Sequence, residues 1–238
     1  DVQVRVAVAG NKAVNGPIAV ALCTDPALQV RLALATNQAI SPRIQAMLSS
    51  DECSLVRAEL LKLSRLDEEV QFALCDDWDL LIHIKTLLSP RLSYTCLKNW
   101  AASGELVSQL AIASRKKLAE EIWGILAGSP HRLVQLAVLS RGILTAEQMM
   151  QLARDGDEEV RQQLASRPEL SLALQRILSQ DSSEDVRLAL AGNPSLDDGI
   201  GRFLAQGRHP KLLEALAMNS GTLPGTRECL IACGDPAL

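Results

Sequence analysis

Apolar residues recur along this chain with a period of 26. Stepping by that interval from Arg5 reaches Arg31, Arg57, His83, Gln109, Gln135, Arg161, Arg187 and Leu213. The residue before each of these nine positions is apolar in eight cases, from Val4 and Val30 to Leu212, with Ser108 as the exception. Three residues after the origin stand Val8, Leu34, Leu60, Thr86, Ile112, Val138, Leu164, Leu190 and Leu216. Seventeen residues after it stand Leu22, Leu48, Leu74, Trp100, Leu126, Leu152, Leu178, Leu204 and Leu230. One register without a gap therefore covers the chain, and self-similarity at a fixed period of this size marks a stacked repeat architecture.

Each unit predicts two short helices, with units beginning near positions 1, 25, 51, 77, 103, 129, 155, 181 and 207. The first helix is expected to follow a capping residue at Asp25, Asp51, Asp77, Ser103, Ser129, Asp155 or Asp181, with Gly207 and Cys233 at the last two such places. A side-chain oxygen there can accept from the free amides of the first turn, and Pro26 suits the first helical position. Val30, Ala33 and Leu34 then fall on one helical face. Asn11, Asn37, Asn193 or Asn219 stop the helix, often beside Gly or Pro. Ser41-Pro42 opens the second helix, about two turns long and partly 3₁₀ in expectation, with Ile44, Met47 and Leu48 as its apolar face. Neither helix is long enough to fold alone, so stacking on neighbours must supply the core. The fold class is an all-α solenoid of about nine two-helix repeats, read as one repeat domain over residues 1–238.

Composition adds limits to this picture. Aromatic residues make up 3% of the chain, so Leu and Ala must do the packing. The formal charge of −4 argues against a general nucleic-acid binder. No apolar run reaches the roughly 18 residues of a membrane span, no secretory signal heads the chain, and no membrane partner is expected. The chain begins Asp-Val-Gln-Val and ends Asp235-Pro236-Ala237-Leu238, matching Asp25-Pro26-Ala27-Leu28, so it reads as a fragment with a tenth repeat cut short. Cysteines at 23, 53, 75, 96, 229 and 233 are too scattered for a disulfide framework and read as free, largely buried thiols in a reducing cytoplasm.

Val30-Arg31-Leu32-Ala33-Leu34-Ala35 and Asp185-Val186-Arg187-Leu188-Ala189-Leu190-Ala191-Gly192-Asn193-Pro194 resemble the leucine-rich repeat variant family. The resemblance is strongest over residues 1–57 and 155–219 and weakens from 58 to 135, where Glu59 and Lys85 replace the usual Ala. It implies short HEAT-like repeats, an α-helix stacked on a 3₁₀ helix, in a right-handed superhelix. Some members of that family carry an N-terminal cysteine-rich segment with an iron–sulfur cluster. No such cluster of cysteines stands here, so the cofactor does not carry over and none is expected.

Two rows and one cluster are the candidate sites. The polar ladder Arg5, Arg31, Arg57, His83, Arg161 and Arg187 could form a cationic stripe for phosphates or acidic peptides. Its structural alternative is pairing with a neighbouring unit's capping Asp or with helix-end carbonyls, because the helix around it is apolar nearly all round. The next residue gives Leu32, Ile84, Leu110, Leu136 and Leu188, a candidate apolar stripe for a partner helix unless neighbouring helices cover it. In the middle units Trp78 and Tyr94 are surface candidates, whereas Trp100 and Trp123 are expected in the core, and Glu59 is expected to pair with Lys85. Catalytic and metal sites are not expected, since His83, His131 and His209 lack ligand spacing and no phosphate loop or nucleophile motif is present. The sequence thus predicts a cytoplasmic, bacterial, non-catalytic module that binds a protein or peptide. The alternative is a nucleic-acid-binding HEAT-like solenoid that uses the arginine ladder. The oligomeric state and the partner's identity are not legible.

Overall fold

The computed structural model describes residues 1–14, 16–141 and 144–234, and the start of a tenth repeat at 235–238 lies outside them. The described residues hold 18 helices and no strand. They fall into two compact units, Asp1–Arg115 and Lys116–Leu238. In the first unit α1 (Val2–Gly10) is followed by α2 (Gly16–Cys23), α3 (Leu28–Ala35) by α4 (Pro42–Ser49), and α5 (Ser54–Leu60) by α6 (Glu68–Cys75). Then come α7 (Leu80–Leu88), α8 (Tyr94–Ala102) and α9 (Leu106–Ala113). The second unit opens with α10 (Glu120–Ala127) and continues with α11 (Arg132–Arg141) and α12 (Ala146–Asp155), then α13 (Glu158–Ala165) and α14 (Leu172–Ser179). It ends with α15 (Glu184–Ala191), α16 (Asp198–Gln206), α17 (Pro210–Met218) and α18 (Pro224–Gly234).

Within each unit alternate helices stack, α1 on α3 on α5 and α2 on α4 on α6, which makes two helical layers around one core. The repeat-wide positions build that core. Val30, Val56, Val134, Val160 and Val186 are fully buried, as are Leu34, Leu60, Leu164, Leu190, Leu48, Leu74, Leu126 and Leu178. Each such side chain contributes about 1.5–3 kcal/mol of transfer free energy. Trp123 is buried as expected, but Trp100 is only half-buried, set edge-on to His83 at 5.1 Å between ring centres.

Two expectations about the helices need correction. The second helices are α-helical, with no 3₁₀ segment among the described residues. Several are closed at the start by side chains, as when Asp67 accepts from Glu69, Ser171 from Leu174 and Asp197 from Gly199, whereas α4 and α10 carry no side-chain cap. The residues expected as first-helix caps stand two places too early. Asp25 Oδ1 accepts from the Ala27 amide at 2.9 Å, and Asp51, Asp77 and Asp181 make the same Asx turn with Cys53, Asp79 and Ser183. The helix proper starts at Leu28, so Pro26 lies ahead of it, while Asp155 ends α12 and Gly207 follows α16.

Two further side-chain ladders join consecutive repeats. Asn37 donates Nδ2 to Ala9 O and Asn11 O at 2.8 and 2.9 Å, and Asn193 and Asn219 reach back one repeat in the same way. Where that column holds Arg instead, the guanidinium takes over: Arg115 Nη1 donates to Leu87 O and Ser89 O, and Arg167 Nη1 to Leu139 O at 2.5 Å. Gln45, Gln71 and Gln175 accept from the amides of Asp67, Ser93 and Asp197, fixing where the next second helix begins. Buried amides and carbonyls that would otherwise lack partners are satisfied by these reaches between repeats.

Candidate functional site

The arginine ladder is built into the stack. Arg5, Arg31, Arg57 and Arg161 each donate Nε and Nη2 to one carboxylate, that of Asp25, Asp51, Asp77 and Asp181, with Nε distances of 2.6, 2.8, 2.7 and 2.7 Å. Each partner stands 20 residues further on, in the turn that opens the next repeat. The third arm, Nη1, reaches a backbone carbonyl: Asp25 O from Arg31, Asp51 O from Arg57 and Gly156 O from Arg161. The hydrogen bond to its aspartate raises the pKa of Arg31, Arg57 and Arg161. Arg5 in turn holds the Asp25 carboxyl below the usual carboxylate value, against the opposing effect of burial. Bidentate, charge-assisted pairing of this kind is strong and directional.

At these four positions the ladder is thus paired with the neighbouring repeat's aspartate, the structural alternative, and not a stripe of free cations. His83 takes the ladder place on α7, with Nδ1 against Cys75 O and Nε2 2.8 Å from Ser108 Oγ, and it is buried. Arg187 donates Nη1 to Asp181 O and Ser182 O, and Gly207 stands where its aspartate would be. Glu59 pairs at 2.5 Å with Lys62, in the turn that follows its helix, rather than with Lys85.

The apolar stripe is not an open groove either. Leu32, Ile84, Leu110, Leu136 and Leu188 are all half-buried, and Leu32 packs against the core of the first unit. An open apolar surface lies one helical turn earlier. That column reads Gln3, Gln29, Leu55, Leu81, Val107, Leu133, Glu159, Asp185 and Lys211, polar at both ends of the chain and aliphatic only in the middle repeats. Leu55 and Leu81 are each 59% exposed, with Val107 and Leu133 also on the surface. In the first unit α5 packs on α7 and α7 on α9, so Leu55, Leu81 and Val107 form a row across three helices about 8–10 Å apart. Helix α7 widens it with exposed Leu80 and Leu88 and half-buried Ile84. Trp78, 78% exposed, stands two residues before α7, with Arg57 Cζ over its ring at 4.2 Å from the centroid. Tyr94 is exposed as well but opens α8, beyond the far end of α7, and does not join the row.

Acidic groups border this surface. The segments leading into α5, α7 and α9 carry Glu52, Asp76, Asp79 and Glu105 and no Lys or Arg; Asp51 and Asp77 in the same turns are paired with Arg31 and Arg57, and Glu52, still exposed, lies 3.3 Å from Arg31 Nη2. Sequence reasoning missed Leu55, Leu81 and Val107 because it followed the columns that stay apolar in every repeat. The available signal was a column that changes from polar to aliphatic over four consecutive repeats.

Among the described residues no group of three or more His, Cys, Asp or Glu could hold a metal ion. The six cysteines are unpaired, and burial pushes the Cys23 thiol up to about 11 and the Cys75 thiol up to about 12. No described helix is long and apolar enough to cross a membrane.

Comparison with solved structures finds the same fold in "a leucine-rich repeat variant with a novel repetitive protein structural motif". That chain is 23% identical, and the match covers 85% of this chain and 81% of that one with a TM-score of 0.56. No family model matches the sequence, and no curated protein matches it. The chain has the helical repeat fold of the leucine-rich repeat variant structure, as its sequence motifs imply.

Proposed function

We propose that this chain is a non-catalytic repeat module that binds a protein partner through the first-helix surface of α5, α7 and α9. The exposed row of Leu55, Leu81 and Val107 beside Trp78 carries this reading. Aliphatic side chains placed in water at one column across consecutive repeats, where the outer repeats place Gln, Glu, Asp or Lys, have no role in the core. Exposed apolar patches of this kind mark interaction surfaces.

The complementary occupant is an amphipathic protein segment. Its aliphatic side chains cover the row and Trp78, and its Lys or Arg residues meet Glu52, Asp76 and Glu105. The alternative of nucleic-acid binding through the ladder is weakened, because Arg31, Arg57 and Arg161 are engaged by Asp51, Asp77 and Asp181. Unpaired cysteines suit a reducing compartment such as the cytoplasm.

Selection of a random peptide library on the immobilised chain tests this reading. Enriched sequences should combine aliphatic and basic residues, and their affinity should fall about tenfold or more in Leu81→Glu and in Val107→Glu. Both positions are on the surface, so circular dichroism should show an unchanged fold. Enriched peptides that are acidic, or that bind both variants as they bind the parent, contradict the proposal.

A further inference from the structure

Four arginines hold the next repeat's aspartate in one geometry, and one repeat keeps the aspartate without the arginine. On α11 the ladder residue is Gln135, and the acid 20 residues on is Asp155. Gln135 is nine-tenths buried and donates Nε2 to Ser129 O at 2.9 Å. That carbonyl, six residues back, is the acceptor that Arg31 and Arg57 reach through Nη1 in their own repeats. Glutamine ends where arginine's guanidinium begins, so the space filled by that group elsewhere is open here. A cavity of about 270 Å³ lies there, lined by Gln135, Ser129, Gln151, Leu152, Asp155 and Asp157 among others.

The walls of this cavity match a guanidinium. Among the described residues Gln135 Oε1 accepts no hydrogen bond and Asp155 has no ion pair. Released from the arginine that buries its counterparts, Asp155 ends α12 as an exposed carboxylate at the rim. Asp157 caps α13 through Oδ1, which accepts from Val160 N at 3.0 Å. Arg132 stands at the mouth, but its Nη1 is engaged with Glu159 at 3.0 Å and its Nε lies 3.7 Å from Asp157.

We propose that this cavity is a socket for the guanidinium group of an incoming arginine side chain or small guanidinium compound. The bound group takes the place of the missing ladder arginine, donating its planar fork to Asp155 and a further N–H to Gln135 Oε1. A lysine ammonium, a point charge without the fork, fits it less well. The socket lies in the second unit and is independent of the apolar surface on α5, α7 and α9.

Amide-resolved NMR titration of the whole chain tests it, with ethylguanidinium, N-acetyl-arginine amide and N-acetyl-lysine amide as probes. Both guanidinium probes should give saturable shifts at the amides of Gln135, Asp155 and Asp157, and the lysine probe should bind about tenfold more weakly. Equal binding of the two guanidinium probes identifies a small guanidinium as sufficient ligand, and tighter binding of the arginine derivative identifies an arginine within a chain. Asp155→Asn should weaken both. Gln135→Arg restores the residue that five other repeats carry, so it should fold, raise the thermal midpoint and abolish binding. Absence of saturable shifts at these amides, or shifts that survive Gln135→Arg, overturns the proposal. Because Leu81→Glu leaves this site untouched, failure here is distinguishable from failure of the α5–α7–α9 surface.

Discussion

Replacing Arg57 by Met tests whether the arginine–aspartate ladder holds the repeats together. Arg57 is 1% exposed, and among the described residues no other fully buried side chain is larger. It donates to both oxygens of Asp77 at 2.7 and 2.9 Å and to the carbonyls of Asp51 and Glu52 at 2.7 and 3.3 Å. Methionine keeps much of the apolar stem and removes every one of these donors. The Asp77 carboxylate, its side chain 3% exposed, is then left without its counter-ion between two repeats. Removing one partner of a buried pair costs about 3–5 kcal/mol, because the other charge stays desolvated. The two carbonyls that lose their donor act in the same direction, but neighbouring losses are not additive. Urea unfolding followed by circular dichroism should therefore show Arg57→Met destabilised by about 3–5 kcal/mol. The double variant Arg57→Met/Asp77→Leu should recover most of that loss, since no charge then remains buried alone. A single variant within about 0.5 kcal/mol of the parent, the range of ordinary surface changes, would refute the clamp. So would a double variant no more stable than the single one.

Two further outcomes follow from the packing and the charges. Leu178→Ala, at a fully buried repeat-wide leucine, should cost about 2–5 kcal/mol in the same assay, and an unchanged unfolding curve contradicts the register. The Asp25 carboxyl is held below its ordinary value by Arg5, and burial and Arg161 act in opposite directions on Asp181 with the net shift also downward. A depressed folded pKa means stability that is present in full above about pH 4 and lost as pH falls through the folded value. Thermal midpoints measured from neutral pH downward should decline below about pH 4, and a flat profile to lower pH contradicts the pairing.

The repeat was legible because its columns are apolar in nearly every unit: Val30, Leu34 and Leu48 and most of their counterparts form the core, with Ser108 and Thr86 as polar exceptions. The ladder arginines were visible for the same reason, and the apolar character of their helix pointed to a carboxylate partner. Cap positions were misplaced by two residues because Asp25, Asp51 and Asp77 form Asx turns, and aspartate suits an Asx turn as well as an N-cap. Nothing in the sequence shows that Arg115 and Arg167 stand in for the ladder asparagines, because an amide and a guanidinium share only their donor role. Trp100 occupies a core column, yet its indole is too large for a space that leucine fills elsewhere and remains half-exposed beside His83. The proposed binding surface was the least legible element. Repeat reading finds what recurs, whereas Leu55, Leu81, Val107 and Gln135 matter as departures from their own columns.

Fluorescence anisotropy of one selected, labelled peptide against the parent and Leu81→Glu chains is the most direct test of the partner-binding surface. The proposed surface predicts saturable binding to the parent, loss of about tenfold or more in affinity on Leu81→Glu, and parental affinity in Leu172→Glu, an exposed leucine on α14. Equal affinity for all three chains, or a loss confined to Leu172→Glu, would contradict it and place the interaction elsewhere.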